Sequence, residues 1–378
     1  MPYQEDSYLF HLPEVADQIT AEDEASIQPA TSKLVGIAKL AAEGESVRVG
    51  HEVEYFTLEA KSILNRCTAA RMPFTWTVNP YRGCEFACKY CYARYTHEFM
   101  EIRDNAEFER KIYIKQNVRW LLRQDLKKVK AQEEIAIGTA TDPYQPAEKR
   151  YEMTRSILEE LAQHRGFNIS LITKSDLIVR DVDLLQQIAE HNTLFVNVTI
   201  TTMNVQLARI LEPRAPRPDL RMKAVRELNE AGIDAGVICA PVLPGITDSL
   251  PSLEMVVAET KRAGGKYIFA NALHLRPCSA SVFMPFLELE FPHLAAEYHQ
   301  RYKDKAFLPN SYRRRIADLL KKLRQKYHLH YSFSAKKRSG EIKTLREDEQ
   351  MDLFFELQAT GTDPQPPAPI RRRLRTNL

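Results

Sequence analysis

The stretch that decides the fold runs from Asn79 to Tyr92 and reads Asn-Pro-Tyr-Arg-Gly-Cys-Glu-Phe-Ala-Cys-Lys-Tyr-Cys-Tyr. Three of the six cysteines of the chain, Cys84, Cys88 and Cys91, fall in this stretch with the spacing C-x3-C-x2-C. Cysteines placed so closely are typical of a metal centre, and iron–sulfur clusters are held by such thiolates. A [4Fe–4S] cluster usually takes four cysteines, so three would leave one iron open to a ligand that is not protein.

Two other interpretations of the cysteines exist. A disulfide framework is disfavoured, because three is an odd number and the chain lacks the features of a secreted protein. A structural zinc site is the main alternative, with His97 as the fourth ligand. Zinc sites normally pair their cysteines in two separated knuckles, and the sequence holds no second pair. The spacing therefore favours iron–sulfur, and a non-enzymatic zinc-binding interaction protein is kept as the alternative.

Composition sets wide bounds on the class of protein. A chain of 378 residues is long enough for one large α/β domain with appendages, or for two domains. The net charge of +3 comes from 53 basic and 50 acidic residues, a balance that neither predicts nor excludes nucleic acid as a partner. The longest apolar runs, such as residues 235–242, are too short to span a bilayer, and the N-terminus has no apolar signal segment. We expect a reduced, cytoplasmic protein without a membrane partner.

After the cysteines, β-rich runs alternate with helical patterns, which indicates βαβ units and a parallel sheet. A first strand over residues 74–78 delivers the cysteine loop. The following predicted strands are 134–138, 168–173, 194–201, 235–240 and 267–273, and the predicted helices are 115–131, 147–164, 181–191, 218–231, 250–263 and others from 287 onward. Six βα units form either a doubly wound sheet or a partial barrel. In both, ligands bind at the carboxyl ends of the strands.

We divide the chain into three parts. Residues 1–57 are predicted to be a loosely attached N-terminal extension, and residues 58–330 form the core with its C-terminal helices. Residues 331–378 are a C-terminal extension, with a helical pattern over 347–357 and disorder from about residue 360, where prolines precede an arginine run. The arginine run is either a solvated tail or a contact for nucleic acid or an acidic partner.

Polar residues end the second and third predicted strands. The second strand ends in Gly-Thr-Ala-Thr-Asp over residues 138–142, so that Thr141 and Asp142 either cap the next helix or contribute to a site. The third strand ends at Lys174 and Ser175. A lysine at the end of a buried strand is costly unless it pairs with an anion, although its amine can also reach solvent.

The later strands also carry candidate residues. Alternation along the fourth strand places Asn197, Thr199 and Thr201 on one face, which suggests a polar barrel interior. Arg214 follows in a proline-stiffened loop and is a candidate ligand of a carboxylate or phosphate. Beyond the sixth strand, His274 and Arg276 share a face at the predicted mouth of the sheet, and Cys278 follows them.

The cysteine spacing, with Tyr90 before the third cysteine, resembles the C-x3-C-x-aromatic-C signature of the radical S-adenosylmethionine (SAM) enzymes. Three segments, Asn-Pro-Tyr-Arg-Gly-Cys (79–84), Thr-Asp-Pro-Tyr-Gln-Pro (141–146) and His-Leu-Arg-Pro (274–277), resemble the spore photoproduct lyase-like branch. The resemblance extends over about residues 58–329. It implies a partial (β/α)6 barrel of the TIM type, flanked by the N-terminal extension and the C-terminal helical and disordered tail.

The resemblance also implies a cofactor set. Cys84, Cys88 and Cys91 would hold a [4Fe–4S] cluster that reductively cleaves SAM, and the resulting 5′-deoxyadenosyl radical would abstract hydrogen from a substrate. Flavodoxin or ferredoxin would donate the electron. In the resembling lyase a lysine at the place of Lys174 contacts the SAM carboxylate, and Ser175 is expected to assist. The remaining expected cofactor-binding residues are Tyr90, Thr141, Asp142, Thr199, Thr201 and Arg214.

The reaction stays open at this point. The substrate is DNA, a peptide or a metabolite, and the enzyme is of the lyase or transferase type. Repair of pyrimidine dimers in DNA, the reaction that names the family, is one alternative. The namesake has a cysteine at the end of the second strand that returns hydrogen to the product, and residues 138–142 contain no thiol. Cys278 is the candidate replacement, against the alternative that it is an inert loop residue.

Overall fold

The structure is a computed structural model of the chain, and it describes residues 34–50, 52–67, 73–131 and 133–330. The predicted helix over 347–357, the predicted disorder and the arginine run lie outside the described residues.

The described residues form two sheets surrounded by helices. The strands are β1 (Ser46–Gly50), β2 (Val53–Leu58), β3 (Leu64–Arg66), β4 (Trp76–Val78), β5 (Tyr81–Arg82), β6 (Lys111–Lys115), β7 (Glu134–Ile137), β8 (Asn168–Thr173), β9 (Thr193–Thr199), β10 (Ala235–Val242) and β11 (Ile268–Ala272). The α-helices are α1 (Gly36–Ala42), α2 (Tyr95–Glu98), α3 (Val118–Asp125), α4 (Glu148–Tyr151), α5 (Met153–Leu161), α6 (Val182–His191), α7 (Val205–Leu211), α8 (Pro218–Glu230), α9 (Leu250–Arg262), α10 (Pro277–Glu290), α11 (Pro292–Tyr302) and α12 (Asn310–Tyr327).

The larger sheet is the predicted partial (β/α)6 barrel. Its order is β11-β10-β9-β8-β7-β4-β3, and the six strands from β11 to β4 are parallel. β3 lies antiparallel to β4 at one edge, so the barrel is open between β3 and β11. The prediction of six parallel strands is confirmed, and β8 begins and ends at the predicted residues.

The two faces of each strand pack differently. On β9, Leu194, Val196 and Val198 belong to the main hydrophobic core, whereas Phe195 packs with a separate cluster on the other face. Complete burial of such aliphatic side chains contributes about 1.5–3 kcal/mol each, and this layer drives the strands and helices together. The alternate positions Asn197 and Thr199 therefore lie on the inner face of the barrel, as predicted.

Tyr267 crosses this inner face next to Gly236. A Cβ atom at residue 236 would lie 2.4 Å from the Tyr267 ring, so only glycine leaves room for the ring. The Tyr267 hydroxyl donates a hydrogen bond of 2.9 Å to the carbonyl of Val196. The side chain thus reaches from the start of β11, past β10, to β9.

A second, smaller sheet with the order β1-β2-β6-β5 was absent from the sequence prediction. β2 pairs in parallel with β6, and β5 pairs antiparallel with β6 through Tyr81 and Ile114. Because β5 lies just before Cys84, this sheet fixes the start of the cysteine loop. The boundary proposed between residues 57 and 58 falls within β2, and the division into three parts stays a prediction.

Four predicted elements differ clearly from the structure. The helix predicted over 115–131 is shorter, because Lys115 ends β6 and α3 covers only Val118–Asp125. The helix predicted over 147–164 is interrupted at Glu152, whose φ of 52° lies in the left-handed region. The loop predicted after β9 contains α7, whose first turn is capped by Asn204. α10 begins at Pro277 rather than at residue 287, because proline is compatible with the first helical position, where its missing N–H is not needed.

Candidate radical SAM site

The three cysteines lie on the loop that follows β5, at the carboxyl end of β4. Burial raises the pKa of Cys84, and the neighbouring Asp142, Cys88 and Cys91 raise it further. Burial also raises the pKa of Cys88 to about 12, against the lowering effect of Lys174. The thiols are therefore close enough to affect one another's pKa values, and solvent does little to stabilise their ionised forms.

This donor set fits an iron–sulfur cluster. The thiols of Cys84 and Cys88, whose pKa values are raised, stay protonated at neutral pH, and binding to a metal removes their protons. Within the described ranges, no three His, Cys, Asp or Glu side chains are grouped for one shared metal ion. In a cluster, the cysteine thiolates bind different irons. Cys84, Cys88 and Cys91, with the ammonium of Lys174 beside them, match a cluster that leaves one iron open.

The turn after β7 holds the first half of the cysteine loop. The Thr141 hydroxyl donates to the Gly83 carbonyl at 2.6 Å. The Gln145 amide donates to the same carbonyl at 3.1 Å and accepts from the Glu85 backbone N–H at 3.0 Å. The Glu85 carboxylate in turn accepts from the Ala147 N–H at 2.7 Å. We call Thr141, Gln145 and Glu85 the amide flank of the loop.

Asp142 connects this turn to the end of β8. Its carboxylate accepts hydrogen bonds from the Thr173 hydroxyl and the Lys174 N–H, both at 2.7 Å, and from the Tyr144 N–H at 2.9 Å. Burial raises the pKa of Asp142, and these hydrogen bonds oppose the rise. Both oxygens already have protein partners, so Asp142 is placed to position Lys174. Ser175 accepts from the Leu177 N–H and caps the following turn.

Lys174 lies beside the cysteines rather than in solvent. Its ammonium nitrogen is 5.8 Å from the centroid of the Tyr90 ring. Burial lowers the pKa of Lys174, but the nearby Cys88, Glu212 and Asp142 more than reverse this effect, so the net pKa is raised. The side chain is therefore a half-buried cation at the carboxyl end of β8, where an anionic ligand would be stabilised.

A buried ion pair holds the second half of the loop. Glu212 and Arg221 are each 1% exposed, and their charged atoms approach to 2.5 Å. The Tyr90 hydroxyl donates to Glu212, and the Thr201 hydroxyl donates to the same carboxylate at 3.3 Å. Arg221 also donates to the Thr199 carbonyl at 3.1 Å. We call Glu212, Arg221 and Tyr90 the ion-pair flank of the loop.

Sequence reasoning missed this pair, although it found three of its neighbours. Glu212 lies in the proline-stiffened loop from which the sequence analysis selects only Arg214, and Arg221 lies in the helix predicted over 218–231. A usable signal was Pro218, because a proline at the first helical position places Arg221 one turn further, facing the end of β9. Tyr90, Thr199 and Thr201 are brought together because each of them hydrogen-bonds Glu212 or Arg221.

Arg214 occupies a different environment from the other candidates. Its backbone N–H donates to the Phe86 carbonyl, but its side chain is 38% exposed and lies 3.7 Å from Glu52. The guanidinium therefore borders the cysteine loop at the protein surface.

His97 does not complete a zinc site with the cysteines. Its ring is buried against Phe108 and Tyr113, and Nε2 hydrogen-bonds the carbonyl of Lys111 at 3.1 Å. Burial lowers the pKa of His97 to about 4. The zinc alternative that used this residue is corrected on that ground, because its ring is packed into the side of the second sheet.

The residues after β11 lie near the end of the cysteine loop. Cys278 is the second residue of α10 and is buried, so the alternative that placed it in a loop is wrong. The next residue, Ser279, donates to the Cys91 carbonyl at 3.0 Å. The Arg276 guanidinium stacks 4.7 Å above the Tyr95 ring. His274 instead packs on a phenylalanine ring, and burial lowers its pKa to about 3.

Comparisons with known proteins agree with this arrangement. Residues 78–254 match the Radical SAM superfamily model. An uncharacterized protein of Mycobacterium tuberculosis is 36% identical over 279 residues, which cover 73% of this chain and 82% of the relative. An uncharacterized protein of Methanocaldococcus jannaschii is 29% identical over 242 residues, covering 64% and 85%. The chain belongs to the radical SAM superfamily.

Within that superfamily the fold is similar to spore photoproduct lyase. The lyase complexed with dinucleoside spore photoproduct matches with a TM-score of 0.54 at 12% identity, covering 79% of this chain and 86% of the other. A mutant lyase with bound SAM and the same dinucleoside matches with a TM-score of 0.50 at 14% identity, covering 79% and 84%. As a member of the radical SAM superfamily, the chain is an enzyme whose cofactors are a [4Fe–4S] cluster and SAM. No helix in the described part of the chain has the length and apolarity to cross a membrane.

Proposed function

We propose that Cys84, Cys88 and Cys91 hold the [4Fe–4S] cluster and that the enzyme cleaves SAM to initiate hydrogen abstraction from a substrate in the barrel. The observation that carries this proposal is the convergence of three thiols and the half-buried Lys174 at the carboxyl ends of the strands. The cluster, when bound, supplies the electron that splits SAM into methionine and a 5′-deoxyadenosyl radical.

The side chains of the protein provide binding and position. Lys174 binds the carboxylate of SAM, since it is a half-buried cation beside the cysteines. Asp142 holds Lys174 through the backbone N–H of that lysine. Tyr90 keeps the cysteine loop on Glu212, and Thr199 and Thr201 line the inner face of the barrel. Ser175 stabilises the backbone, because its hydroxyl caps the turn that follows Lys174.

Cys278 is proposed as the hydrogen donor that completes the reaction. The residues at the end of β7 contain no thiol, and Thr141 already donates its hydroxyl to Gly83. Cys278 lies next to Ser279, which contacts the Cys91 carbonyl, so this thiol is placed close to the cysteine loop. A Cys278→Ala variant should form 5′-deoxyadenosine normally but yield an altered product. Normal product in normal yield would contradict this role.

Metal analysis of anaerobically reconstituted protein tests the cluster assignment. Wild type should contain about four irons per chain. Alanine at Cys84, Cys88 or Cys91 should abolish the cluster and the formation of 5′-deoxyadenosine with dithionite. Cys239→Ala is the matched control, because Cys239 is a buried thiol of the barrel core. Zinc in place of iron, or loss of the cluster in Cys239→Ala but not in Cys88→Ala, would overturn the assignment.

A further inference from the structure

An open groove lies on the protein surface beside the cysteine loop, between α7 and α10. Its volume is about 510 Å³. Leu289 is 78% exposed and Ile210 is 37% exposed, although both are large apolar side chains. Apolar side chains that are exposed together indicate an interaction site rather than scattered surface residues. The apolar lining consists of Ile210, Pro213, Val282, Pro285, Phe286 and Leu289.

Both walls of the groove are attached to the cysteine loop. Lys89, which lies between Cys88 and Tyr90, lines the groove, and its N–H donates to the Leu211 carbonyl at the end of α7 at 3.0 Å. On the other wall, Ser279 of α10 donates to the Cys91 carbonyl. A protein seated in this groove would therefore contact the same loop that carries the three cysteines.

The charges around the groove are unevenly distributed. Lys89 and Arg209 border it near the cysteine loop, and the Arg209 guanidinium is held at the rim by the Pro213 carbonyl, at 2.5 Å. Glu290 lies at the opposite end of α10, about 16 Å along the helix from Ser279. An apolar centre with a positive rim on the side of the cysteines is complementary to an acidic protein.

We propose that this groove docks a small acidic one-electron carrier protein. The inference rests on the proposed function, because cleavage of SAM consumes one electron. The carrier is oxidised by one electron and the cluster is reduced by one, and no proton or chemical group is transferred. Electron-transfer complexes use small, transient interfaces, and a positive rim accelerates encounter with an acidic partner. The groove offers both properties at the loop that would receive the electron.

The test compares two reductants on the reconstituted, full-length enzyme. Formation of 5′-deoxyadenosine from SAM is measured with dithionite, and separately with a flavodoxin that is reduced by its NADPH-dependent reductase. The groove variants are Arg209→Glu and Leu289→Asp. The matched controls are Arg226→Glu on α8 and Leu250→Asp on α9, which alter exposed residues outside the groove.

The dithionite rate should be the same in wild type and all four variants. The KM for flavodoxin should rise about tenfold in both groove variants and stay unchanged in the controls. In Arg209→Glu the KM should also depend less on ionic strength, because a screened attraction has been removed. Equal flavodoxin KM values in wild type and both groove variants would overturn the docking site, as would a wild type that flavodoxin does not reduce.

Two further outcomes are distinguishable from these. A groove that binds a second copy of the chain would give a dimer that Leu289→Asp dissociates, with the flavodoxin KM unchanged, and this would also overturn the inference. If the proposed function itself were wrong, wild type would form no 5′-deoxyadenosine with dithionite, whatever the flavodoxin result.

Discussion

The amide flank and the ion-pair flank hold the two halves of one loop by different means. Gln145 fixes the backbone around Gly83 and Glu85 through hydrogen bonds between neutral groups. Glu212 fixes Tyr90 through a carboxylate whose charge is balanced by buried Arg221. A neutral hydrogen bond contributes about 0.5–1.5 kcal/mol, whereas breaking a buried ion pair costs about 3–5 kcal/mol. The loop therefore tolerates change near Cys84 better than near Cys88 and Cys91.

Removal of one charge from the ion-pair flank should have the largest effect. Glu212→Leu leaves the Arg221 guanidinium buried without its partner, which should lower the free energy of unfolding by about 3–5 kcal/mol. Glu212→Leu combined with Arg221→Met removes both charges and should recover much of this loss. Urea unfolding of the anaerobic protein, followed by circular dichroism, measures both. A double variant no more stable than Glu212→Leu would show that the pair does not behave as a buried ion pair.

Lys174 lies between the two flanks, and its loss should affect the ligand more than the fold. A charge-assisted contact with the SAM carboxylate is worth about 1.5–3 kcal/mol, or roughly ten- to hundredfold in affinity. Lys174→Ala should weaken SAM binding by that factor, measured by equilibrium dialysis, while the iron content stays that of wild type. Lys223→Ala, at an exposed position on α8, is the control. Unchanged SAM affinity in Lys174→Ala would place the carboxylate elsewhere.

The amide flank should respond more mildly to the loss of its central side chain. Gln145→Leu leaves the Glu85 N–H without its acceptor and removes one of two donors to Gly83, so the expected cost is about 1–3 kcal/mol. The comparison is Gln186→Leu, which removes an exposed hydrogen bond to Ala231 and should cost less than about 0.5 kcal/mol. Urea unfolding measures both variants. Equal losses in the free energy of unfolding would argue against a stabilising role of the amide flank around Cys84.

The smallest expected effect is a difference between the two flanks in how their contribution to stability depends on pH. Burial raises the pKa of Glu85, so the stability it contributes is present below the ordinary value of 4.5 and is lost as the pH rises through the raised pKa. The pKa of Glu212 is lowered, because Arg221 and Lys174 outweigh the effect of burial. Its contribution is present above the ordinary value and is lost only as the pH falls through the lowered pKa.

Thermal unfolding between pH 5 and 8 reads out this difference. The Tm of Glu85→Gln, relative to wild type, should rise with pH across this window. The Tm deficit of Glu212→Gln should stay constant over the same window. A pH-independent difference for Glu85→Gln, or a deficit for Glu212→Gln that changes above pH 5, would contradict the assignment of the two environments.

The barrel was predictable because its signals are local. β8 was predicted to the residue, since a β-rich run over Asn168–Thr173 lies between two clear breaks. The cysteine spacing and the polar strand ends likewise placed most candidate residues on one side of the sheet. Strand alternation alone was enough to put Thr199 on the inner face.

The parts that escaped prediction depend on contacts between distant segments. Neither β2 nor β6 has a distinctive sequence pattern. The second sheet forms only because they pair, and this pairing joins residues more than fifty positions apart. The role of Glu212 cannot be predicted from the sequence, because it depends on Arg221, which α8 brings into contact with it. α10 was different, because its first residue, Pro277, is a local signal of a helix start, whereas the sequence prediction placed helices only from residue 287 onward.

Tyr267 fixes the position of the amino end of β11 in the barrel. The barrel is open between β3 and β11, and within the described sheet β11 pairs with one strand, β10. The hydroxyl bond from Tyr267 to Val196 ties the amino end of β11 to β9, over the space that Gly236 leaves empty. This bond joins the two strands at the amino end of β11 and does not reach the carboxyl end of β11. It thereby opposes separation of β11 from β9 at the end of the barrel opposite the candidate site, which lies at the carboxyl ends of the strands.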